Sequence, residues 1–305
     1  MGRSRAREDY TGWKRVWLQT DLGMGPAFGW EGFWAGVKQV RKRGAVWRVL
    51  YRVIRIGFVV FALLCFGPGV RGDEVVLPAK GEFHLFLLVG QSNMAGRGVV
   101  EEVDRVAHPR VLTLTQAGKW VPAGVGLGKT FGEVVAEARP GVTIGLIPCA
   151  VGGSPIDTWQ PGVFDEATRS FPWDDMMRRI QVALPAGTLK GILWHQGKSD
   201  SKPELAASYE AKLHALIARF RVATGAPEVP FVVGQMGRFD GKPWDPEREV
   251  VDRVHQAVPK RVSNAAFVFA EGLKDKGDQI HFDAESYPEL GRRYAKVYLG
   301  MSGVR

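Results

Sequence analysis

Six short apolar runs, separated by amphipathic stretches, constrain this chain more than any other feature. They cover residues 84–89 (HLFLLV), 110–115 (RVLTLT), 142–150 (VTIGLIPCA), 189–195 (LKGILWH), 230–236 (PFVVGQM) and 265–270 (AAFVFA). Most are continuously apolar, as parallel strands covered on both faces are. Over 204–225, Leu205, Tyr209, Leu213, Leu216, Ile217 and Phe220 recur at helical spacing and Gly225 supplies a stop. Residues 173–184, 246–258 and 284–299 carry similar helical patterns. Strand–helix alternation of this kind predicts a doubly wound, three-layer α/β/α sandwich with a mostly parallel sheet.

The 305-residue chain has a formal net charge of +9, which would suit a nucleic-acid binder if it were spread over the fold. It is not: residues 1–55 hold 12 Lys/Arg against 4 Asp/Glu, and the remainder 29 against 28. Nucleic-acid binding is therefore not expected. Behind the basic stretch, Ile56 to Phe66 is an apolar run of 11 residues preceded by Arg48, Arg52 and Arg55. A bilayer span needs roughly 18 residues or more, and a signal-peptide core about 7–15. The expectation is a basic extension and signal peptide over 1–72, cleaved near Gly72, with the folded body over 73–305. Secretion or export to a periplasm follows; the alternative is an uncleaved membrane anchor. Cys65 lies inside that leader, so Cys149 is the one cysteine of the body and no disulfide is expected. A body of about 230 residues buries enough core to stand without one.

Three chemistries are set aside. Ala123–Thr130 (AGVGLGKT) satisfies a loose phosphate-loop pattern, but KWVP stands where a strand should lead in, with Pro122 expected to stop any strand. The helix after it is expected to be short and to open at Gly132. The six histidines are dispersed without metal-ligand spacing, so no metal and no cofactor is expected. Cys149, in an apolar run, reads as a packing residue.

What remains is four segments: 90–96 (GQSNMAG), 150–159 (AVGGSPIDTW), 194–200 (WHQGKSD) and 278–282 (DQIHF). The first three follow predicted strands and the fourth precedes the last helix, a placement that gathers them at the C-terminal edge of a parallel sheet. A Ser there needs a base, an orienting acid and an oxyanion hole to act as a nucleophile.

In this order the segments resemble the SGNH-hydrolase superfamily, and within it carbohydrate esterase family six and the sialate O-acetylesterase-like domains, over about residues 82–300. The resemblance implies a flavodoxin-like sheet and a serine esterase that removes O-acetyl groups from carbohydrate through an acyl-enzyme, with no cofactor. It implies Ser92 as nucleophile and His281 as base. It further implies an oxyanion hole built from the Ser92 and Gly153 N–H groups and the Gln196 side-chain amide. Gln91, Asn93, Arg97, Trp159 and Arg238 are candidate substrate contacts, with Trp244 beside them. His195 is expected to face the other side of its strand. One position departs from the family: Lys198 stands where His-Gln-Gly-Glu is usual, so the acid must come from elsewhere, and Asp278 is three residues before His281. The alternatives are a catalytically weak carbohydrate-binding domain on the same fold and an esterase or lipase for non-sugar esters.

Overall fold

A computed structural model describes residues 75–96 and 106–303; the leader expected over 1–72 and the candidate Arg97 lie outside the described residues. Seven strands form one sheet: β1 (Phe83–Gly90), β2 (Val111–Leu114), β3 (Trp120–Pro122), β4 (Thr143–Pro148), β5 (Thr188–His195), β6 (Phe231–Gly234) and β7 (Ala265–Val268). Their order is β3-β2-β4-β1-β5-β6-β7, parallel throughout except for the β2–β3 pair. The helices are α1 (Ser92–Ala95), α2 (Leu127–Ala138), α3 (Pro172–Ala183), α4 (Pro203–Ala206), α5 (Tyr209–Ala223), α6 (Pro246–Arg261) and α7 (Ser286–Met301).

Strand alternation divides the core in two. Leu85, Leu87 and Val89 of β1, with Ile192 and Trp194 of β5, pack in the cluster that holds Ile180 of α3, Phe220 of α5 and Val258 of α6. Phe86, Leu88 and Leu193 point the other way, against Phe131 of α2 and Tyr294 of α7. Every residue of β1 is buried, as its unbroken apolar sequence requires.

β1 sits centrally, with the chain passing to β2 and β4 on one side and to β5, β6 and β7 on the other. The crevice of a doubly wound sheet opens at such a reversal, at the carboxyl ends of the strands. Here those ends belong to β4, β1 and β5, the strands that carry the first three motifs.

Three local expectations are corrected. Pro122 does not stop a strand; it ends β3, pairing with Leu112 at the sheet edge, where proline's missing N–H costs no ladder bond. The Gly-Lys-Thr segment opens α2 at Leu127, not Gly132, and that helix runs 12 residues. Its glycines serve packing: a Cβ on Gly132 would lie 2.6 Å from the Val111 side chain. Lys129 is nearly buried and pairs with Glu133 at 2.9 Å. The single helix expected over 204–225 is two, because the chain turns between Ala206 and Tyr209.

Candidate active site

Backbone bonds extend sheet pairing past the end of β1: Gln91 N–H donates to the His195 carbonyl at 2.8 Å, and Val151 N–H to the Gly90 carbonyl at 2.9 Å. The turn into α1 is thus fastened on both sides. Gly90 makes this possible, with φ +119° and so close an approach that a Cβ would sit 2.7 Å from the His195 carbonyl carbon. Ser92 is the first residue beyond the turn.

The loop before α7 brings His281 to it. His281 Nε2 lies 2.9 Å from Ser92 Oγ, and Nδ1 lies 2.6 Å from Asp278 Oδ2. The other oxygen, Asp278 Oδ1, accepts the Ile280 and His281 N–H groups at 2.9 and 2.8 Å. Desolvation works to raise the Asp278 carboxyl, but hydrogen bonds from the His281 side chain and from these two N–H groups outweigh it and hold the group well below the ordinary carboxylate range. Lys276 Nζ stands 3.7 Å from Oδ2. Asp283 Oδ1 accepts the Ser286 N–H, at the start of α7, at 2.8 Å.

Asn93 joins the two halves. Its amide donates to the Ile280 carbonyl at 3.0 Å, and its oxygen accepts from Phe282 N–H at 3.3 Å and Tyr287 Oη at 3.0 Å. It ties loop to helix, and it also lines the cavity.

The residues after β4 form the opposing turn. Gly153 has φ +88° with open space where a Cβ would be. Among the described residues, neither its N–H nor that of Ser92 has a protein acceptor, and both residues line a cavity of ≈ 850 Å³ with Gln196 and His281. The Gln196 amide is almost wholly buried; its nitrogen donates to Asp200 Oδ2 and, at 3.3 Å, to the Ser154 carbonyl. Gln91 lines the cavity but directs its nitrogen to the same Ser154 carbonyl at 3.0 Å and to Ser199 Oγ. It is a brace.

Two expected substrate contacts are corrected. Trp159 is fully buried, its indole N–H on Ser154 Oγ at 3.1 Å and its ring edge-on to Trp194, so it belongs to the core. Arg238 pairs with Glu249 and lies 4.3 Å over the Trp244 ring, and neither residue lines the cavity. Ser154 is buried too, with its hydroxyl donated to the Val151 carbonyl at 2.9 Å. His195 is among the residues that line the cavity, with its Nδ1 3.2 Å from Tyr294 Oη on α7 and its ring edge-on to Phe282, and burial pushes its pKa down to about 4. Burial likewise pushes the Cys149 thiol up to about 12.

The sequence reading passed over the cationic rim. Lys198, Lys202, Arg248 and Lys276 line the cavity, against one lining carboxylate, Asp165, which is occupied by the Ala167 N–H and the Thr168 hydroxyl. Burial lowers the Lys198 ammonium, and the positive charges of Arg248 and Lys242 lower it further. No spacing rule links 198, 202, 248 and 276; only the fold collects them.

A seven-stranded, mostly parallel sheet between two layers of helices, with these loops at its switch point, defines a three-layer protein of the α/β class. Residues 82–300 match the family described as carbohydrate esterase, sialic acid-specific acetylesterase, and the chain belongs to it. It is, with that family, a carboxylic ester hydrolase directed at carbohydrate O-acetyl groups. A probable carbohydrate esterase of Arabidopsis thaliana is 29% identical over 265 residues, 76% of this chain and 96% of the relative. The X-ray structure of an Arabidopsis thaliana protein superposes with a TM-score of 0.63 at 28% identity, covering 75% of this chain and all of the other. NanS (TM-score 0.57, 16% identity, 75% of this chain and all of the other) shares the fold. So does a carbohydrate acetylesterase from Xanthomonas citri (TM-score 0.58, 18% identity, 72% of this chain and 57% of the other).

Proposed function

We propose that Ser92 is the nucleophile of a two-step acetyl transfer. Its Oγ attacks the acetyl carbonyl carbon while His281 Nε2 takes the hydroxyl proton, and Asp278 holds the Nδ1–H and stabilises the imidazolium. The oxyanion is received by the Ser92 and Gly153 N–H groups and by the Gln196 amide. The intermediate collapses with breakage of the acetyl C–O bond, and the imidazolium proton passes to the sugar oxygen. Water then attacks the acetyl-Ser92 carbonyl, His281 accepts its proton, and acetate leaves as Ser92 regains that proton. The observation that carries this reading is the unbroken line Asp278–His281–Ser92, at 2.6 and 2.9 Å, beside two unoccupied N–H donors.

The cationic rim supports an acetylated acidic sugar, the sialate type, over a neutral one of the acetylxylan type: Arg248 is paired with Asp245 at 3.6 Å and Lys276 with Asp278 at 3.7 Å, and the charges of Lys198 and Lys202 beside them give the cleft a potential that attracts a carboxylate. The leader over 1–72, basic and then apolar for 11 residues, supports export before the enzyme meets such a substrate.

Ser92→Ala is expected to abolish acetyl-ester hydrolysis and labelling by an organophosphonate with thermal unfolding unchanged. Undiminished labelling of that variant would assign the nucleophile elsewhere. Trace hydrolysis by the wild type, with sugar binding intact, would favour the carbohydrate-binding alternative instead.

A further inference from the structure

Behind the cavity runs a buried polar chain that the triad does not use. Tyr209, at the start of α5, is wholly buried, and its hydroxyl lies 2.7 Å from Gln196 Oε1 and 2.9 Å from His255 Nε2 on α6. On the other side of the amide, Asp200 Oδ2 takes both the Gln196 nitrogen and the Ile156 N–H at 2.9 Å. Apolar side chains would fill this space with less desolvation cost, so the chain calls for a role beyond packing.

We infer that Tyr209 and Asp200 are positioning residues that hold the Gln196 amide with its nitrogen toward the reacting carbonyl oxygen. This rests on the proposed part of Gln196 in the oxyanion hole.

The direction of every bond is determined. His255 is fully buried and neutral, burial and the neighbouring His195 pushing its pKa down to about 3. Its Nδ1 has no partner, so its single proton belongs on Nε2, where it is donated to Tyr209 Oη. Trp194 Nε1–H, at 3.4 Å, can only donate to the same oxygen. With both lone pairs engaged, the Tyr209 proton must go to Gln196 Oε1. That identifies the opposite end of the amide as nitrogen and opposes the flipped rotamer, which would set the amide oxygen against Asp200 Oδ2 and the amide N–H groups against the Tyr209 hydroxyl proton.

One of the two Gln196 N–H bonds is then anchored on a carboxylate. The other rests at 3.3 Å on the Ser154 carbonyl, which Gln91 already occupies at 3.0 Å. It is the longer of the two bonds that the Gln196 nitrogen makes, and of the two that the Ser154 carbonyl accepts. It lies beside the Gly153 turn and can leave a shared carbonyl for a developing oxyanion. Asp200 also spans the gap between the loops after β4 and β5, so one side chain sets the spacing of the Gly153 turn and Gln196.

A double-mutant cycle on an acetyl ester such as p-nitrophenyl acetate tests this. Gln196→Ala is expected to lower kcat by about 10²–10³-fold, the worth of one oxyanion donor. Tyr209→Phe, which keeps the ring and removes only the O–H, is expected to lower kcat at least tenfold with KM within twofold. In the Gln196→Ala background the same change is expected to have no further effect, because Tyr209 acts through an amide that is gone. Independent losses that multiply in the double variant, or wild-type kcat in either single variant, would overturn the inference. Should Tyr209→Phe fail to fold, Asp200→Asn enters the same cycle with the same expectation. Ser92→Ala run alongside separates the two levels: if it is inactive while the cycle is additive, only the positioning role falls. If it remains active, the oxyanion-hole reading falls with it.

Discussion

At the scale of single residues, the carboxylate beside His281 is that of Asp278, and Lys198 stands where the family usually has Glu. Asp278 is already bonded to His281 at 2.6 Å, so no carboxylate is missing at position 198. Asp278→Asn is expected to lower kcat on the order of 10⁴-fold, the cost of removing the orienting acid from Ser-His-Asp proteases, measured on one acetyl ester. Its folded-state pKa is depressed, so its contribution to stability is complete above the unfolded carboxylate value near 3.9 and is lost only as pH falls through the lower folded value. The stability difference between wild type and Asp278→Asn should therefore persist to pH 4 in denaturant titrations. Lys198→Glu is expected to leave hydrolysis of a neutral acetyl ester within a fewfold, and to raise KM selectively for an acetylated acidic sugar. A strong activation on the neutral ester would instead return the orienting role to position 198. Ser92, His281 and Asp278 were legible because each stands at a strand end or in a short motif, where residue type and place in the chain suffice. Trp159 and Arg238 were misread for the opposite reason: a loop tryptophan and a loop arginine look alike in sequence whether they face a cleft or a core.

Among the elements, the six parallel strands follow the apolar runs within about two residues, since a strand buried on both faces has no alternative composition. β3 escaped because three residues ending in proline carry no period, and its place is set by the hairpin pairing with β2. The element that the chemistry depends on most is the turn from β1 into α1. Gly90→Ala is expected to destabilise the fold by about 3 kcal/mol or more, since both the positive φ and contact with unyielding backbone oppose a Cβ. By the scaling for a body of this size, that is a fall in Tm of roughly 10 °C. Gly153→Ala meets open space and bears only the cost of its φ, about 1–3 kcal/mol. Equal melting temperatures for the two variants would show that close approach at Gly90 does not limit stability.

For the molecule as a whole, the buried members of the two core clusters among the described residues run from Phe83 to Tyr298, with Val75 and Leu77 packed against one cluster and Leu299 and Met301 against the other. Residues 73–305 alone are expected to fold cooperatively and keep full activity; an insoluble truncation beside a soluble full chain would give the leader a structural part. The network of Asp200, Gln196, Tyr209 and His255 was hidden from the sequence because its members come from three elements and each has a bland reading, Tyr209 most of all as one more apolar position on a helix. The Asp278–His281 segment is the reverse case. Within four residues the acid accepts from the backbone and the ring of the very residue it serves, so its geometry is internal to the loop. The rest of the chain has only to deliver that loop, through Asn93 and Phe282, to the right height above Ser92. Such a unit carries its own geometry, so a change of length or charge in the surrounding rim would alter what the cleft accepts without disturbing the bonds between Asp278 and His281.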